Sequence, residues 1–388
     1  MLGWLIGCDS VNLAPMFFMP VIWMFSVGRL GAYLTPMSYL LAASYGLVTS
    51  APRFFGLEDQ PMLGPAFPLY AVYLGLLWLL PAIVFALPWA LLWTRKHSSF
   101  SSLLARLLVI MAIIILPPVG LTWGNPLLCA GYLFPYTAEL GIAAVVLLWV
   151  ALWRTSGRAR AVAVASVALY VAFMSPQARL TPRVPPDWDG IYTSFGKLYS
   201  GSDDSVGPYV RYQILSIILR NSKAKYVVLP ETVAGWWGNV TEMLWSDSSR
   251  LFEDGGRTFF VGAEETAYGT MKYINLVHVR GANTGSVVQR FPVPFSMWRP
   301  WSDTGAVADW FGGAGMTRVD GMKVGVLICF EPYLYLPCLT TAASRPDVLV
   351  AVSNQWWARG TNIPALSDKC IASWALLYNL PVVLAKNI

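Results

Sequence analysis

Charged residues are scarce in this sequence. Only 12% of its 388 residues are Asp, Glu, Lys or Arg, whereas an ordinary soluble domain has about a quarter. The deficit is uneven, because residues 1–178 contain long uncharged stretches while most acidic residues lie beyond residue 186. This distribution argues against a chain that is water-soluble throughout, and it predicts a membrane-embedded part followed by a water-facing part.

Histidine and cysteine are also few. The two histidines are His97, beside an apolar run, and His278, in an alternating apolar stretch, and both are interpreted as structural residues. The five cysteines lack the short paired spacings of a zinc site or a disulfide framework; they are Cys8, Cys129, Cys329, Cys338 and Cys370. The sequence therefore predicts no metal site and no cofactor, and it argues against a Ser–His or Cys–His triad.

Signatures of nucleotide and nucleic acid binding are missing as well. The sequence has no P-loop and no strand-linked GxGxxG, and its GGAG at 312–315 lacks the lysine and the spacing of a phosphate loop. The formal net charge is +6, but the basic residues fall singly at the ends of apolar runs and form no dense patch. We therefore expect no direct nucleic acid binding.

The first half does contain uncharged runs long enough to cross the roughly 30 Å of a bilayer core. They cover residues 10–28, 30–52, 63–93, 107–128, 140–153 and 161–178. These runs predict a multi-pass α-helical membrane domain of about six helices over 1–178, in the bacterial inner membrane.

The basic residues beside these runs predict an orientation. Seven of them lie in three alternate loops, against Arg53 alone on the other side; they are Arg29, Arg95, Lys96, Arg106, Arg154, Arg158 and Arg160. Short loops rich in Lys and Arg stay in the cytoplasm. The chain beyond about residue 175 is then expected on the opposite face, which is the periplasm in a Gram-negative cell.

The second half has a different pattern. Residues 179–187 contain three prolines and predict a stiff linker, and residues 188–388 alternate short apolar strands with helical segments, as in an α/β domain. Three predicted strands end in polar or reactive residues, and such ends are where α/β sheets carry their sites. YVVLPET gives Glu231, VGVLICFEP gives Cys329 and Glu331, and VLVAVSNQWW gives Ser353, Asn354 and Trp357. These residues predict a carboxylate base and a thiol nucleophile.

Residues 188–388 resemble the nitrilase superfamily of carbon-nitrogen hydrolases, whose members have a Glu ending an early strand, a Cys in a C-[YFW]-[DE] turn and a later S-N strand end. The resemblance implies a four-layer α-β-β-α sandwich. It also implies that Glu231 takes the proton of Cys329 and that the thiolate attacks an ester or amide carbonyl to give an acyl-enzyme. Glu331 would orient the site, with Asn354 and Trp357 in support.

Two positions depart from the superfamily pattern. Its basic residue is a Lys in a K-x-x-L-V-P-F-G-E-like segment, and the matching segment here is QRFPVPFSMWRP. Arg290 or Gln289 occupies the Lys position, depending on a one-residue gap, and Met297 stands where the motif has its Glu. Arginine keeps its proton and could stabilise an oxyanion, but it cannot share proton transfer as lysine can. Lys272 and Lys323, each at a strand start, are the alternative cations, although a solvated flank is the commoner explanation for such residues.

With the preceding spans, the architecture resembles apolipoprotein N-acyltransferase, which transfers an acyl chain from phospholipid to a lipoprotein amine. The missing final span and the chain end at Ile388 fit better with a shortened relative of that family encoded with plasmid transfer functions. Three hypotheses follow: Cys-dependent acyl or amide chemistry at the envelope, lipoprotein N-acylation, and a catalytically degraded scaffold. The partners expected are membrane lipid or an acylated protein substrate, and other conjugation, envelope or pilus-assembly proteins.

Tryptophans cluster near the same strand ends. They are Trp236, Trp237, Trp298, Trp301, Trp356 and Trp357. Indole rings suit both an acyl-chain pocket and a lipid interface. The GWWGN and SMWRPW loops are therefore candidates for a lid or a lipid contact, with ordinary packing as the alternative.

Overall fold

The computed structural model describes residues 11–55, 67–95, 99–174, 182–198 and 207–388. Cys8, Lys96, His97 and residues 179–181 of the predicted linker lie outside the described residues. The chain forms two compact units. The first contains Met1–Pro182, Tyr333–Leu336 and Gly360–Asn379; the second contains Arg183–Pro332, Pro337–Arg359 and Leu380–Ile388. The predicted boundaries near residues 178 and 188 stay a prediction, but the contacts group two late segments, Tyr333–Leu336 and Gly360–Asn379, with the first unit.

The described elements are numbered along the chain. The α-helices are α1 (Phe18–Met24), α2 (Arg29–Ala43), α3 (Leu47–Phe54), α4 (Phe67–Leu74), α5 (Leu80–Leu91), α6 (Phe100–Ile115), α7 (Ala130–Leu133), α8 (Glu139–Arg154), α9 (Gly157–Met174), α10 (Gly207–Asn221), α11 (Asn239–Asp254), α12 (Tyr335–Ala343) and α13 (Ile363–Tyr378). The strands are β1 (Trp188–Gly190), β2 (Tyr192–Thr193), β3 (Tyr226–Val228), β4 (Thr258–Thr266), β5 (Met271–Gly281), β6 (Gly285–Val288), β7 (Thr304–Ala306), β8 (Met316–Val319), β9 (Met322–Ile328), β10 (Val348–Asn354) and β11 (Val382–Asn387).

Two helical stretches of the first unit are long and apolar enough to cross a membrane. They are Pro68–Leu91, in which a π-helical turn joins α4 to α5, and Gly157–Met174. Ala14–Met24 and Phe100–Ile115 are apolar but shorter. Only 22% and 11% of the most apolar windows of the two long stretches are buried within the protein, so most of their apolar surface faces outward.

Two of the predicted runs are not single helices. Residues 30–52 form α2 and α3, separated by a turn at residues 44–46. In the run 107–128, α6 ends at Ile115, just before Pro117 and Pro118. Proline lacks the N–H of a helical hydrogen bond and disfavours helical backbone in the residue before it, so the run must break there.

Helix α13, near the end of the chain, belongs to the first unit. The Tyr132 hydroxyl donates to the carbonyl of Lys369 at 2.7 Å, and the backbone N–H groups of Tyr136 and Ala138 donate to Leu376 and Leu377, each at 2.8 Å. Gly131 faces Ser373 so closely that a Cβ would lie 1.9 Å from its carbonyl oxygen. Only glycine permits this approach.

The second unit contains two sheets. In the first sheet the strand order is β1-β3-β4-β5-β6, with β7 paired to β5; in the second it is β2-β11-β10-β9-β8. Strands β9, β10 and β11 are parallel, as are β1, β3 and β4, whereas β4 and β5 are antiparallel. Parallel strands bring their carboxyl ends to one edge, where the sites of such sheets lie.

The sheets pack through valine-rich inner faces, with Val277 and Phe260 from one sheet and Val326 and Val350 from the other in a single buried cluster. Helices α10 and α11 cover the outer face of the first sheet, where Leu215 and Trp245 pack with Phe259 and Val261. On the second sheet a Cβ at Gly325 would lie 2.6 Å from Thr341 of α12. This α-β-β-α order confirms the nitrilase-like α/β fold that the sequence predicts.

Candidate active site

Cys329 directly follows β9 and has left-handed backbone geometry, with φ of 58°. That conformation is uncommon for any residue except glycine, and it persists only where the surrounding contacts enforce it. Here the backbone N–H of Cys329 donates to the carbonyl of Val352 on β10 at 2.8 Å. The side chain is half-buried. The turn thus presents the thiol at the carboxyl edge of the second sheet.

Glu231 lies three residues after β3 and is 3% exposed. Its backbone lies against Gly262 of β4, where a Cβ would come within 2.5 Å of the Glu231 Cα. One carboxylate oxygen accepts a hydrogen bond from Asn275 Nδ2 at 2.6 Å, and the other accepts from the Asn354 backbone N–H at 2.7 Å. The Cys329 thiol lies close enough to this carboxylate to lower its pKa, and the carboxylate in turn raises the pKa of the thiol. The predicted base and nucleophile are therefore partners.

Burial sets the electrostatics of this pair. It raises the pKa of the Glu231 carboxyl from 4.5 to about 7, against the hydrogen bonds from Cys329, Asn275 and Asn354, which favour the ionised form. Burial, followed by the charge of Glu231, raises the pKa of the Cys329 thiol well above its ordinary value, while a hydrogen bond from the Phe330 backbone opposes the rise. The resting pair is therefore a neutral thiol beside a carboxyl that titrates near neutrality.

Gln289 is one of the two residues that could occupy the lysine position. It belongs to the hydrogen-bond network of Glu231. Its Oε1 accepts a hydrogen bond from Asn275 Nδ2 at 3.1 Å. Its Nε2 donates to the carbonyl oxygens of Ile328 at 3.2 Å and Phe291 at 3.3 Å. The neutral amide of Gln289 is thus bonded to Ile328, the residue that precedes Cys329.

Arg290 is engaged elsewhere. It is 4% exposed, and its Nε and backbone N–H donate to Glu331 Oε1 at 3.1 and 2.8 Å. Its terminal nitrogens donate to Glu331, to the carbonyls of Gly313 and Pro337, and to the hydroxyls of Thr340 and Thr341. Acceptors thus surround the whole guanidinium. That Arg290 supplies the cation at the thiol stays a prediction; the structure shows its guanidinium bonded to Glu331 and to the neighbouring carbonyls and hydroxyls.

Glu331 holds the same corner together. Its Oε2 accepts the backbone N–H of Ile328 at 3.0 Å, while Oε1 accepts from Arg290. The side chain is 1% exposed. It therefore fixes the backbone one residue before Cys329.

The strand end at Asn354 closes the other side of the site. Asn354 Oδ1 accepts from Asn387 Nδ2 at 2.8 Å, and its carbonyl accepts from the Trp357 indole at 3.2 Å. Asn387, which follows the LAK of β11, also accepts from the backbone N–H of Phe195 at 2.8 Å. The predicted Asn354 and Trp357 thus position the backbone N–H that contacts Glu231.

Sequence reasoning missed Asn275 and Asn387. Asn275 lies two residues before Val277 on β5, on the same inner face. A polar residue in phase with inward-facing valines was the available signal, because alternate residues of a strand share a face. Asn387 has the same signal, two residues after the inward-facing Ala385 of β11.

The remaining candidates make other contacts. His278 is on the opposite face of β5 from Asn275, with its Nε2 2.9 Å from Glu265 and its ring centroid 4.4 Å from that of Trp237. Met297 is half-buried in the loop before β7 and accepts the Ala306 backbone N–H at 2.6 Å. Lys272 and Lys323 stand at the starts of β5 and β9, half-buried. Among the described residues, no group of three or more His, Cys, Asp or Glu could hold a metal ion.

The tryptophans separate into packed and exposed residues. Trp237 is 7% exposed, whereas Trp236 is 44% and Trp301 66% exposed. Phe295 and Trp301 stack at 5.8 Å, and Trp298 and Trp310 meet edge to face at 5.1 Å. The SMWRPW loop therefore holds its rings together in a partly exposed cluster.

A two-sheet α/β domain with a carboxylate and a thiol side by side at its strand ends is of the nitrilase-like class. No family model matches the chain. It is 31% identical over 379 residues to "Probable conjugal transfer protein TraB" of Sinorhizobium fredii, covering 95% of this chain and 90% of that protein. It is 27% identical over 399 residues to "Conjugal transfer protein TraB" of Agrobacterium fabrum, covering 99% and 89%. The chain belongs to the TraB family of conjugal transfer proteins.

Similar solved structures include an amidase from Nesterenkonia sp. It has 10% identity and a TM-score of 0.36, covering 51% of this chain and 74% of that one. A carbon-nitrogen hydrolase from Helicobacter pylori has 12% identity and a TM-score of 0.35, covering 51% and 72%.

Proposed function

We propose that this protein acts in conjugal transfer at the bacterial inner membrane, where Cys329 and Glu231 catalyse transfer of an acyl group from an ester or amide. The closeness of the Cys329 thiol and the buried Glu231 carboxylate, which shift each other's pKa, carries this proposal. A carboxyl whose pKa is raised to about 7 is matched to general-base work near neutral pH. The names of the two relatives support the role in conjugal transfer.

The proposed reaction has two halves. Glu231 takes the thiol proton as the Cys329 sulfur attacks the carbonyl carbon, and the leaving alcohol or amine then takes that proton as its bond to the carbonyl breaks. In the second half, water or an amine attacks the thioester, Glu231 takes its proton, and the proton returns to the departing thiolate. Because the resting thiol is neutral, proton transfer accompanies the attack instead of preceding it.

The membrane placement rests on the outward-facing apolar surface of Pro68–Leu91 and Gly157–Met174 and on the basic loops. Seven basic residues flank the uncharged runs on one side, against Arg53 on the other. We propose a multi-pass topology with those loops cytoplasmic and the nitrilase-like domain periplasmic. Reporter fusions at residue 182 should then be active as a periplasmic reporter and silent as a cytoplasmic one. The reverse pattern would reject the orientation.

Labelling of the detergent-solubilised protein with an acyl phosphonate or activated ester probe tests the chemistry. Cys329→Ala should abolish labelling, and Glu231→Gln should slow it by about 100-fold, which is a typical contribution of a general base. Cys338→Ala is the matched control, since this buried thiol donates to the Glu331 carbonyl at 3.4 Å and should leave labelling intact. Equal labelling of the wild type and Glu231→Gln would reject the proposal.

A scaffold for envelope or pilus-assembly partners is the second candidate function. Gln289 favours it, because a neutral amide gives the thiol no cationic neighbour. Plasmid transfer frequency distinguishes the two functions. A catalytic role predicts that Cys329→Ala reduces transfer as severely as deletion of the gene, whereas a scaffold predicts that Cys329→Ala transfers at the wild-type frequency.

A further inference from the structure

Glu264 on β4 is a second buried carboxyl on the inner face of the first sheet. Phe260 of the same strand packs in the cluster between the sheets, whereas Val261 and Ala263 face the helices. Alternate residues share a face, so Glu264 points inward with Phe260. It is only 6% exposed. Burial of a carboxyl is costly unless hydrogen bonds or opposite charges compensate for the lost water.

The chain around Glu264 is joined to the segment that carries Glu231. The Glu264 N–H donates to the Gly235 carbonyl at 3.0 Å, and its carbonyl accepts the Trp237 N–H at 2.7 Å. Two residues earlier, Gly262 lies against the Glu231 backbone. Residues two apart in a strand are roughly 7 Å apart, so Glu264 stands next to the base along one face.

Asn275 connects the two carboxyls. It is directly opposite Glu264 in the antiparallel pairing of β4 and β5, which brings side chains on one face to about 5 Å. Its Nδ2 already donates to Glu231 and Gln289. Its Oδ1 is buried and has no hydrogen-bond partner among the described residues.

We propose that Glu264 is a positioning residue for the Glu231–Cys329 pair: it sets the charge around Glu231 and the orientation of Asn275. This inference rests on the proposed function. The charge of Glu264 is one of the influences that raise the pKa of Glu231. Glu264 therefore holds the base in its uncharged form to higher pH than burial alone would.

Other ionisable groups surround this pair. Tyr273 on β5 interacts electrostatically with Glu264, Glu231 and Cys329, and with Arg299 of the SMWRPW loop. Glu331 acts on Cys329, but its charge is paired with Arg290. Among these described groups, Glu264 is the one whose effect on the pKa of Glu231 can be removed by a single substitution without altering the thiol or its hydrogen bonds.

The test measures the pH dependence of iodoacetamide alkylation at Cys329 in the full-length protein in detergent. The wild-type rate should rise through an inflection that Glu231→Gln removes. Glu264→Gln should move that inflection to lower pH by about one unit, at the lower end of shifts from a neighbouring like charge. Glu265→Gln is the matched control, because Glu265 lies on the opposite face beside His278. Its profile should superimpose on the wild type.

The outcomes separate the two proposals. An inflection that Glu264→Gln leaves in place, or that Glu265→Gln moves equally, overturns the role of Glu264 alone. A wild-type profile without an inflection that depends on Glu231 overturns the proposed function together with this inference. If Glu264→Gln does not fold, Glu264→Asp keeps the charge one methylene away from Asn275. It should change the alkylation rate while moving the inflection less than half a unit, and an unchanged rate overturns the proposal.

Discussion

Asn275 Nδ2 donates one hydrogen bond to Gln289 at 3.1 Å and another to Glu231 at 2.6 Å. Two neutral amides thus lead to Glu231, the proposed base. The sequence resemblance implies a cation at this position. The chemistry of the thiol therefore depends on what an amide pair can do in its place.

A cation restored at Gln289 should activate the thiol. Gln289→Lys is expected to lower the pKa of Cys329 and to speed acyl-probe labelling at neutral pH by about tenfold, which corresponds to about one pKa unit. Gln289→Met has a similar length without charge and should label no faster than the wild type. If the lysine and methionine variants label equally, the missing cation does not limit reactivity.

The raised pKa of Glu231 predicts a pH-dependent stability difference. The folded-state pKa of about 7 exceeds the ordinary 4.5, so ionisation of Glu231 costs stability as the pH rises between these values and costs it fully above 7. Glu231→Gln escapes this cost and should gain roughly 3 kcal/mol relative to the wild type between pH 4.5 and 8.

Denaturant unfolding in detergent at several pH values measures this difference. Glu253→Gln, at an exposed position on α11, should show a constant offset from the wild type across the same range. A constant offset for Glu231→Gln as well would show that Glu231 ionises in the folded state as easily as in the unfolded chain.

Arg290 and Glu331 should behave as a structural pair. Arg290→Met leaves the Glu331 carboxylate buried without its partner and should reduce the free energy of unfolding by about 3–5 kcal/mol. The double variant Arg290→Met with Glu331→Gln should lose much less than the sum of the single changes. In a folded Arg290→Lys variant, the pH inflection of Cys329 alkylation should stay in place. A shift of that inflection would place Arg290 among the groups that act on the thiol.

Gly131 should be intolerant of a side chain. A Cβ there would lie 1.9 Å from the Ser373 carbonyl oxygen, so Gly131→Ala must force α7 and α13 apart, at about 1–3 kcal/mol. Gly75, with no atom within 4 Å of its Cβ position, gives the control variant Gly75→Ala. A clearly lower melting temperature for Gly131→Ala alone is expected. Equal melting temperatures would contradict the tight packing of α13.

The sequence predicted the strand-end residues because each follows an apolar run that can only be a buried strand. Glu231, Cys329 and Asn354 were found in this way, and the structure brings them together. It could not decide between Gln289 and Arg290, because a one-residue shift exchanges the two faces of a strand. The partner of Arg290, Glu331, lies 41 residues further along the chain, so no local pattern could reveal this pairing.

The shortest elements also escaped sequence reasoning. Strands β1, β2 and β7 have three, two and three residues, too few for a periodic pattern. Apolar composition alone gave helical runs in the first half that were too long, because turns such as residues 44–46 carry no charge. In a segment with few charged residues, the sequence does not show where each helix ends.

Helix α13 lies in the chain between β10 and β11, the strands that end in Asn354 and Asn387, yet it packs with the N-terminal helices. Genetic recombination at residue 182 would therefore not exchange a segment that folds on its own. Residues 183–388 joined to a foreign anchor would carry a buried helix stripped of its neighbours, and a truncated first half would lack one of its own. Recombination that separates the halves is thus expected to yield insoluble products, so TraB proteins should be inherited as one indivisible reading frame.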